Sequence, residues 1–489
     1  MSAQVIDLPA EGTRLRGTDA VTLLSLYTLM LMFIPSPLVL APLGAAGGPA
    51  TIFAFVLLAF YLVTLAAPPL ALNRGPQPIR VAMVLMTCAV LATYISANRH
   101  TLLSLEQNGA DRGLIFMFGW LAAALVAADG IGSIDRLNTL LGRIVLGAAA
   151  ISVIAIAQFF TAVNVATYIQ LPGLSDQVSL TNLTRDQLNR PSATALHPLE
   201  LALVLAICLP IAIHRARFAP PQFRGRRWLQ AALIGMAVPL TVSRSALIAL
   251  VVAALVILPT WPKRDRWVGY LVGLIGAAGL LATSPALLST MRSLFGQIGS
   301  DTSSASRTSA FSSSAPFVSQ HPWFGRGFGT FLPATYFFTD DQYLLSLIEI
   351  GFIGLLVLIG LFVTGWMTAR NARRMSGDPA SRDLAQCLAA SVAVPMVSFA
   401  TLDVLSFPMA AGLTFLVLGC VGALWRLVRT ETPTTGAGLP PSAHEPRPQE
   451  PEPTFIGVEA DDTAPIPVVR GSAVPAGTGR FSQQAERAR

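Results

Sequence analysis

Runs of about twenty apolar residues recur along this chain and constrain its fold more than any other feature. A helix needs about 20 such residues to cross the hydrocarbon core of a bilayer, and open sheets cannot cross it. Charged residues make up only 12% of the 489 residues, against roughly 25% in soluble domains. The sequence therefore predicts an all-α, polytopic membrane protein with about twelve transmembrane helices.

The predicted spans fill most of the chain between residues 19 and 429. Those that start near residues 113, 228 and 245 are short, and we expect the last two to be tilted or broken. The spans lie at roughly 19–40, 51–72, 79–97, 113–128, 140–163, 193–213, 228–242, 245–261, 267–283, 343–368, 384–402 and 408–428.

Lysine and arginine are concentrated in every second loop between these spans. Loops of this kind face the cytoplasm, so the pattern predicts that both termini are cytoplasmic. We divide the chain into a cytoplasmic segment 1–18, an integral membrane domain 19–429 and a tail 430–489. The tail is rich in Pro, Gly, Ala and Glu, and is expected to be disordered. The loops left outside are about 41–50, 98–112, 164–192, 243–244, 284–342 and 403–407.

The largest outer loop, 284–342, lies between the ninth and tenth spans and combines Trp, Phe, Gly and Arg. Such a loop suits chemistry on a lipid-borne substrate better than the passage of a solute. Arg307 and Phe311 are four residues apart, which places them on one face of a helix. Arg326 lies in a Gly-rich turn, where positive φ and close backbone approach are allowed. The expected ligand of this turn is a phosphate.

Two carboxylates, Asp340 and Asp341, precede the tenth span, and Tyr343 and Glu349 follow within it. A carboxylate at this position either accepts a proton from an acceptor hydroxyl or caps the helix. Glu349 lies about two turns deeper, where an acidic group is either functional or bonded within the structure.

Two further arginines are predicted on the outer side. Arg190 precedes the sixth span, and Arg244 separates two short spans. A guanidinium offers a planar fork to phosphate oxygens, and a charge at membrane depth is costly unless it serves a site. Interfacial anchoring is the alternative for both arginines. His197, at the start of the sixth span, either lines a cavity or bonds at the helix start.

Several classes of function lack support in the sequence. The four cysteines lie in apolar runs without metal-ligand spacing, and no Walker loop, dinucleotide fingerprint or nucleophile elbow is present. The formal charge of +7 lies mostly in short loops, so it does not predict nucleic acid binding. We expect no cofactor and no metal. An anionic lipid diphosphate would suit the outer arginines and would bring its own leaving group.

An ordered set of short motifs resembles the O-antigen ligase and Wzy-type polysaccharide polymerase superfamily over about residues 190–370. Each motif is weak alone, but their order and spacing match. The motifs are Ser243–Arg244, Arg307-x-x-x-Phe311, Pro322-x-x-Gly325-x-Gly327-x-Gly329-x-Phe331, and Gln342–Tyr343–Leu344 followed by Glu349-x-Gly351-x-x-Gly354.

The resemblance implies about twelve spans, an outer active site, and transfer of a glycan from undecaprenyl diphosphate. It implies that Arg244 and Arg307 bind the donor diphosphate and that Asp341 completes the catalytic set. Ligases commonly carry His before the Tyr–Leu pair, where this chain has Asp340, Asp341 and Gln342. The departure favours a polymerase of capsule or exopolysaccharide over a ligase. The expected substrate-binding residues are Arg190, His197, Arg326, Tyr343 and Glu349.

The expected enzyme is an inverting, metal-independent glycosyltransferase in the bacterial inner membrane. Its expected partners are the undecaprenyl-diphosphate-linked oligosaccharide, membrane lipids, a flippase and a chain-length regulator. Two rival classes share the span count: a flippase or exporter of lipid-linked glycan, and a structural partner in a glycan assembly complex. No repeat of halves, which many transporters have, is evident in the sequence.

Overall fold

The computed structural model describes residues 19–66, 75–176, 183–185, 188–283, 302–333 and 335–431. These residues are mostly helical, as predicted. The helices are α1 Ala20–Phe33, α2 Pro49–Ala66, α3 Pro78–Ala97, α4 Ser104–Gly130, α5 Ile134–Thr161, α6 Pro198–Arg217, α7 Pro221–Leu240, α8 Arg244–Ile257, α9 Lys263–Thr283, α10 Thr302–Gln320, α11 Gln342–Met375, α12 Pro379–Ser398 and α13 Pro408–Glu431.

Each predicted span overlaps one of these helices, and α10 is the additional helix. Seven of the described helices are long and apolar enough to cross a membrane (α2, α3, α4, α5, α6, α11 and α13), and α1 and α8 are shorter apolar helices. The chain is thus a multi-pass membrane protein, while the number of twelve spans stays a prediction. The segment 1–18 and the tail from residue 432 lie outside the described residues, as do residues 284–301 of the large loop.

Several span boundaries differ from those predicted, for local reasons. The first helix ends at Phe33 instead of residue 40, because Pro35 and Pro37 lack the N–H groups that would continue it. The fourth helix begins at Ser104 instead of residue 113, since Glu106 accepts a hydrogen bond from the backbone N–H of Leu103 at 3.0 Å and caps its first turn.

Short strands, which the all-α prediction did not include, pair within the loops. Strand β1 (Leu38–Val39) pairs antiparallel with β2 (Ser175–Asp176). Strand β3 (Leu183–Arg185) pairs antiparallel with β4 (Leu188–Arg190). Their ladders satisfy backbone N–H and C=O groups in the connections between helices.

The loops segregate into two sets that match the predicted outer and cytoplasmic sets. Contacts among the predicted outer loops and the outer ends of the predicted spans include Leu38 with Asp176, Arg326 with Glu106, Thr339 with Asp403, and Arg190 with Thr241. Contacts between predicted cytoplasmic segments include Arg217 with Asp265 and Asp383, and Arg215 with Asn138. The two sets agree with the alternation of basic loops. Which set faces outward stays a prediction.

Helix α11 is interrupted at Gly351, whose φ of +67° is non-helical. The interruption frees carbonyl groups that the large loop uses: the N–H groups of Arg326 and Gly327 donate to the carbonyls of Ile348 and Glu349, both at 2.9 Å. The contact requires glycine, because a Cβ on Gly325 would lie 2.3 Å from the carbonyl carbon of Glu349. Irregular backbone at this depth is therefore satisfied within the protein.

Candidate active site

A cavity of about 220 Å³ opens at the end of the helices where the predicted outer loops meet. Its polar lining comes from five segments: the connection between α1 and α2, α4, the end of the large loop, α11 and the connection between α12 and α13. Apolar side chains such as Phe328, Phe331 and Leu405 complete the wall. The polar lining includes Arg112, Thr339, Gln342, Glu349 and Asp403.

Asp403 is the carboxylate in this cavity whose pKa suits proton transfer near neutral pH. It lies between α12 and α13, and its Oδ1 accepts a hydrogen bond from the hydroxyl of Thr339 at 3.0 Å. Burial raises its pKa to about 6, and the nearby charges of Asp340 and Asp341 act in the same direction. The bond from Thr339 lowers the pKa and so limits the rise. A base with a pKa near the working pH is well matched to removing a hydroxyl proton.

Sequence reasoning did not select Asp403. The available signal was an acidic residue in a short outer loop between two apolar spans, which is unusual at a membrane. Its proximity to Asp340 and Asp341 could not be read from a separation of more than sixty positions in the chain.

The sequence left two roles open for the carboxylate before the tenth span, a base or a helix cap, and Asp341 has the cap role in the structure. It is the N-cap of α11, and its Oδ1 accepts from the N–H of Leu344 at 3.1 Å. Asp340 precedes it with a positive φ of +49° and is half-buried. Gln342 joins the start of α11 to the segment between α12 and α13, since its Oε1 accepts a hydrogen bond from the N–H of Leu405 at 2.8 Å. The two carboxylates are thereby held beside Asp403, while their own part in catalysis stays a prediction.

Glu349 lines the same cavity but also supports the loop above it. Its Oε1 accepts from the N–H of Phe331 at 3.2 Å, and its side chain is buried. Tyr343, in the first turn of the same helix, donates its hydroxyl proton to the carbonyl of Met396 at 2.5 Å. Both residues therefore have bonded positions that tie α11 to its neighbours. A direct contact of either residue with substrate stays a prediction.

Arg326 is engaged within the protein. Its guanidinium lies 2.6 Å from Oε1 of Glu106 and also bonds the hydroxyl of Tyr336, which itself bonds Glu106. Glu106 is only 1% exposed, so this ion pair joins α4 to the large loop in a largely buried place. These contacts favour a positioning role over the substrate contact that we expected.

Arg190 and Arg244 are brought to the same turn. Val242, with φ of +51°, and Ser243 separate α7 from α8, and Arg244 is the first residue of α8. The Nε–H of Arg190, at the end of β4, donates to the carbonyl of Thr241 at 3.2 Å. The predicted interruption between the two short apolar helices is therefore confirmed. Both arginines are half-buried at the predicted outer end.

His197 links these arginines to the segment between α12 and α13 that carries Asp403. It is the N-cap of α6, and its Nδ1 accepts from the N–H of Leu199 at 3.2 Å. Its ring stacks on Phe407 with centroids 6.1 Å apart. Burial, with the charge of Arg190, lowers its pKa to about 4. His197 is therefore neutral at physiological pH, and its remaining nitrogen, Nε2, carries the proton.

The remaining arginine of the expected set, Arg307, lies in helix α10. The helix confirms that Arg307 and Phe311 share a helical spacing, while the side chain of Arg307 lies outside the described part of the structure. Its contact with a phosphate stays a prediction.

One group of potential metal ligands occurs among the described residues, and it is not at the cavity. His214, Asp383 and Cys387 offer ligand atoms within 4.8 Å of one another. They lie between α6 and α12 among the predicted cytoplasmic ends. Asp383 is already bonded there by Arg217 at 2.5 Å and by His214 at 2.8 Å, so the group has the character of an ion-pair network.

Comparison with known families adds to this geometry. Residues 229–359 match a family model described as O-Antigen ligase. The matched region includes Arg244, Arg307, Arg326, Asp341 and Glu349. Arg190, His197 and Asp403 lie outside it. No curated protein matches the chain.

Proposed function

We propose that this chain, which belongs to the O-antigen ligase and Wzy-type superfamily, transfers a glycan from a polyprenyl-diphosphate donor to a sugar hydroxyl. The reaction takes place at the outer face of the bacterial inner membrane, with both termini in the cytoplasm. The observation that carries the proposal is the cavity of about 220 Å³ where Asp403 meets the end of the large loop. It lies at the same end of the helices as Arg190 and Arg244.

The acceptor hydroxyl is activated by a carboxylate. Asp403 accepts its proton while the hydroxyl oxygen attacks the anomeric carbon of the donor sugar. The bond from that carbon to the phosphate oxygen breaks, and the diphosphate leaves with the bonding electrons. Attack from the face opposite the leaving group inverts the anomeric centre. Asp341 is the alternative base, although its carboxylate already caps α11.

The leaving diphosphate is stabilised by arginine. Arg244, Arg190 and Arg307 supply the charge, and Arg244 does so from the first turn of α8, where the helix dipole also favours an anion. Charge that is already in place when the transition state forms is the largest contribution in many enzymes. His197, held neutral, contributes an N–H donor and no charge.

The residues before α11 favour the reaction of a polymerase over that of a ligase. The acid pair before α11 replaces the His expected in ligases, which favours the polymerase. A flippase for the lipid-linked repeat and a chain-length regulator are the partners that such a polymerase requires.

A reconstituted transfer assay tests the function. Purified protein in proteoliposomes is given a polyprenyl-diphosphate oligosaccharide as both donor and acceptor, with lipid A core as an alternative acceptor. Elongated lipid-linked glycan supports a polymerase, and glycan on lipid A core supports a ligase. Movement of donor across the bilayer without a new glycosidic bond would contradict both and support a transporter. Transfer in the presence of EDTA is the expected result for a metal-independent reaction.

Sidedness is tested separately by cysteine labelling in whole cells. A cysteine introduced at Phe338, which is exposed in the large loop, should react with an impermeant maleimide. One introduced at Phe223, exposed near the start of α7, should react only after the membrane is permeabilised. The reverse pattern would place the cavity in the cytoplasm and contradict the proposal.

A further inference from the structure

Helix α11 is longer than a bilayer is thick. Its 34 residues correspond to about 51 Å of helix, whereas the hydrocarbon core of a bilayer measures about 30 Å. Part of α11 must therefore lie outside the hydrocarbon. No residue from Gln342 to Gly351 is exposed, although most of them are apolar. The protein itself covers this part of the helix, which leaves little of its surface for lipid.

The apolar surface of α11 that can face lipid begins directly after the break at Gly351. No charged residue follows until Arg370. The segment from Phe352 to Arg370 corresponds to about 27 Å of helix, which matches the thickness of the hydrocarbon. The large exposed side chains within this segment are Phe352, Ile353, Leu356, Ile359, Val363 and Met367.

Helix α3 changes from an apolar to a polar surface at the same level. Its last exposed apolar side chain is Ile95, and the next exposed side chains are Asn98 and Arg99. The hydroxyl of Thr93, half a turn before Ile95, donates a hydrogen bond to the carbonyl of Glu349 at 2.9 Å. The outer end of α3 therefore lies beside the break in α11, and the two helices agree on where the lipid-facing surface stops.

The large loop makes a turn at this level, at residues 322–325, which we call the aromatic turn. The carbonyls of Pro322 and Trp323 accept hydrogen bonds from the first two N–H groups after the break in α11, at 2.8 and 3.3 Å. The carbonyl of Phe324 accepts from the hydroxyl of Thr93. These backbone groups are satisfied without water, which is the condition for backbone placed next to hydrocarbon.

The side chains of the aromatic turn extend the lipid-facing surface of α11. Trp323 is 64% exposed and Phe324 is 43% exposed. The ring of Trp323 lies against that of Phe352, with centroids 6.4 Å apart. An indole has an apolar body and an N–H donor, and tryptophan is enriched at the boundary between hydrocarbon and headgroups for this reason. The bilayer is thus the partner whose chemistry fits this surface.

We propose that the aromatic turn anchors the large loop in the bilayer, with Trp323 and Phe324 in the headgroup region of the leaflet on the predicted outer side. The hydrocarbon then ends at the level of Phe352, and the outer part of α11 stands above it. Thr339 and its partner Asp403 lie beyond the start of α11, about 15 Å of helix away from Phe352. The cavity is therefore at headgroup level or in water. This placement holds whatever reaction the cavity performs.

Spin labelling of the full-length protein in phospholipid nanodiscs measures where the aromatic turn lies. A nitroxide on Trp323→Cys should collide more with oxygen, which concentrates in lipid, than with a water-soluble nickel chelate. Phe338→Cys is the matched control, because Phe338 is 65% exposed in the same loop but lies next to Thr339. Its label should show the opposite preference. Both variants carry Cys88→Ser, since Cys88 is exposed and the other three cysteines are buried.

Two results would overturn the anchor. A label at position 323 that meets the nickel chelate as often as the label at 338 would place the aromatic turn in water. A label that meets neither reagent would show that another protein covers the turn.

The fluorescence of the native protein gives a second reading that needs no cysteine. Brominated phospholipids should quench the part of the tryptophan emission that is lost in Trp323→Phe, because bromine quenches only at contact. Trp228→Phe is the comparison, since Trp228 is also exposed but lies near the start of α7. Emission from Trp323 that brominated lipid leaves unquenched would contradict the proposal.

Discussion

The hydroxyl of Thr339 donates a hydrogen bond to Oδ1 of Asp403 at 3.0 Å and joins the end of the large loop to the connection between α12 and α13. The bond favours the ionised carboxylate, and burial opposes it. The balance between the ionised and the neutral form of Asp403 is therefore set by elements that are far apart in the chain. Substitutions at the residues around Asp403 can therefore change the pKa of its carboxylate while the carboxylate itself is kept.

The acid limb of the pH–rate profile should follow these neighbours in opposite directions. Thr339→Val removes the bond that lowers the pKa of Asp403, so the limb should move to higher pH. Asp340→Asn and Asp341→Asn each remove a negative charge that raises this pKa, so the limb should move to lower pH. Transfer rates from pH 4.5 to 8 give the midpoints. Equal midpoints in all variants would show that Asp403 does not control the limb.

Arg244→Ala should abolish transfer while the protein still inserts in the membrane. Arg244→Lys should also lose most activity, because a point charge does not replace the planar fork that binds two phosphate oxygens. Arg264→Ala is the matched control, since Arg264 is exposed at the predicted cytoplasmic end. A lysine variant with full transfer rate would show that the fork is unnecessary.

The pair of Glu106 and Arg326 separates positioning from substrate contact. Arg326→Gln leaves a carboxylate that is 1% exposed without its partner, and such a loss typically costs about 3–5 kcal/mol. The double variant Glu106→Gln, Arg326→Gln should regain part of the stability in thermal unfolding. It should also regain part of the transfer rate. A stable but inactive double variant would instead place Arg326 in contact with substrate.

Gly325→Ala should weaken the attachment of the large loop to α11. Gly325 has a φ of +68°, and its added Cβ would meet the backbone of Glu349. Strain of this kind costs about 1–3 kcal/mol. Gly377→Ala is the control, because nothing lies within 4 Å of a Cβ there. Proteolysis of the loop in native membranes should increase in the first variant alone, and equal rates would show that the contact does not hold the loop.

The sequence predicted the helices well because each apolar run is a local signal. Each predicted run overlaps a helix and the break before Arg244 appears, since lipid allows few alternatives to a helix, while seven of the described helices are long and apolar enough to cross a membrane. The ends were less predictable: α1 stops at Phe33 and α4 starts at Ser104, where prolines and a capping carboxylate override hydropathy.

The site was only partly predictable, because its groups meet through long-range packing. Arg326 was selected for its Gly-rich context, but its partner Glu106 lies in a distant helix. Asp341 was selected as a base, and the structure shows that its carboxylate caps α11. Asp403 shows no local pattern beyond an acid between two spans. Its shifted pKa exists only after α11 and the connection to α13 pack together.

The most direct measurement of the central claim is the pH–rate profile of glycan transfer by Asp403→Asn beside the wild type. The wild-type rate should fall as pH decreases through about 6, where the carboxylate of Asp403 becomes protonated. The variant should be slower by about 10²–10⁴-fold and should lose the limb at that pH, with lipid binding and thermal unfolding little changed. A variant that keeps most of the wild-type rate and the same acid limb would contradict the assignment of Asp403 as the base.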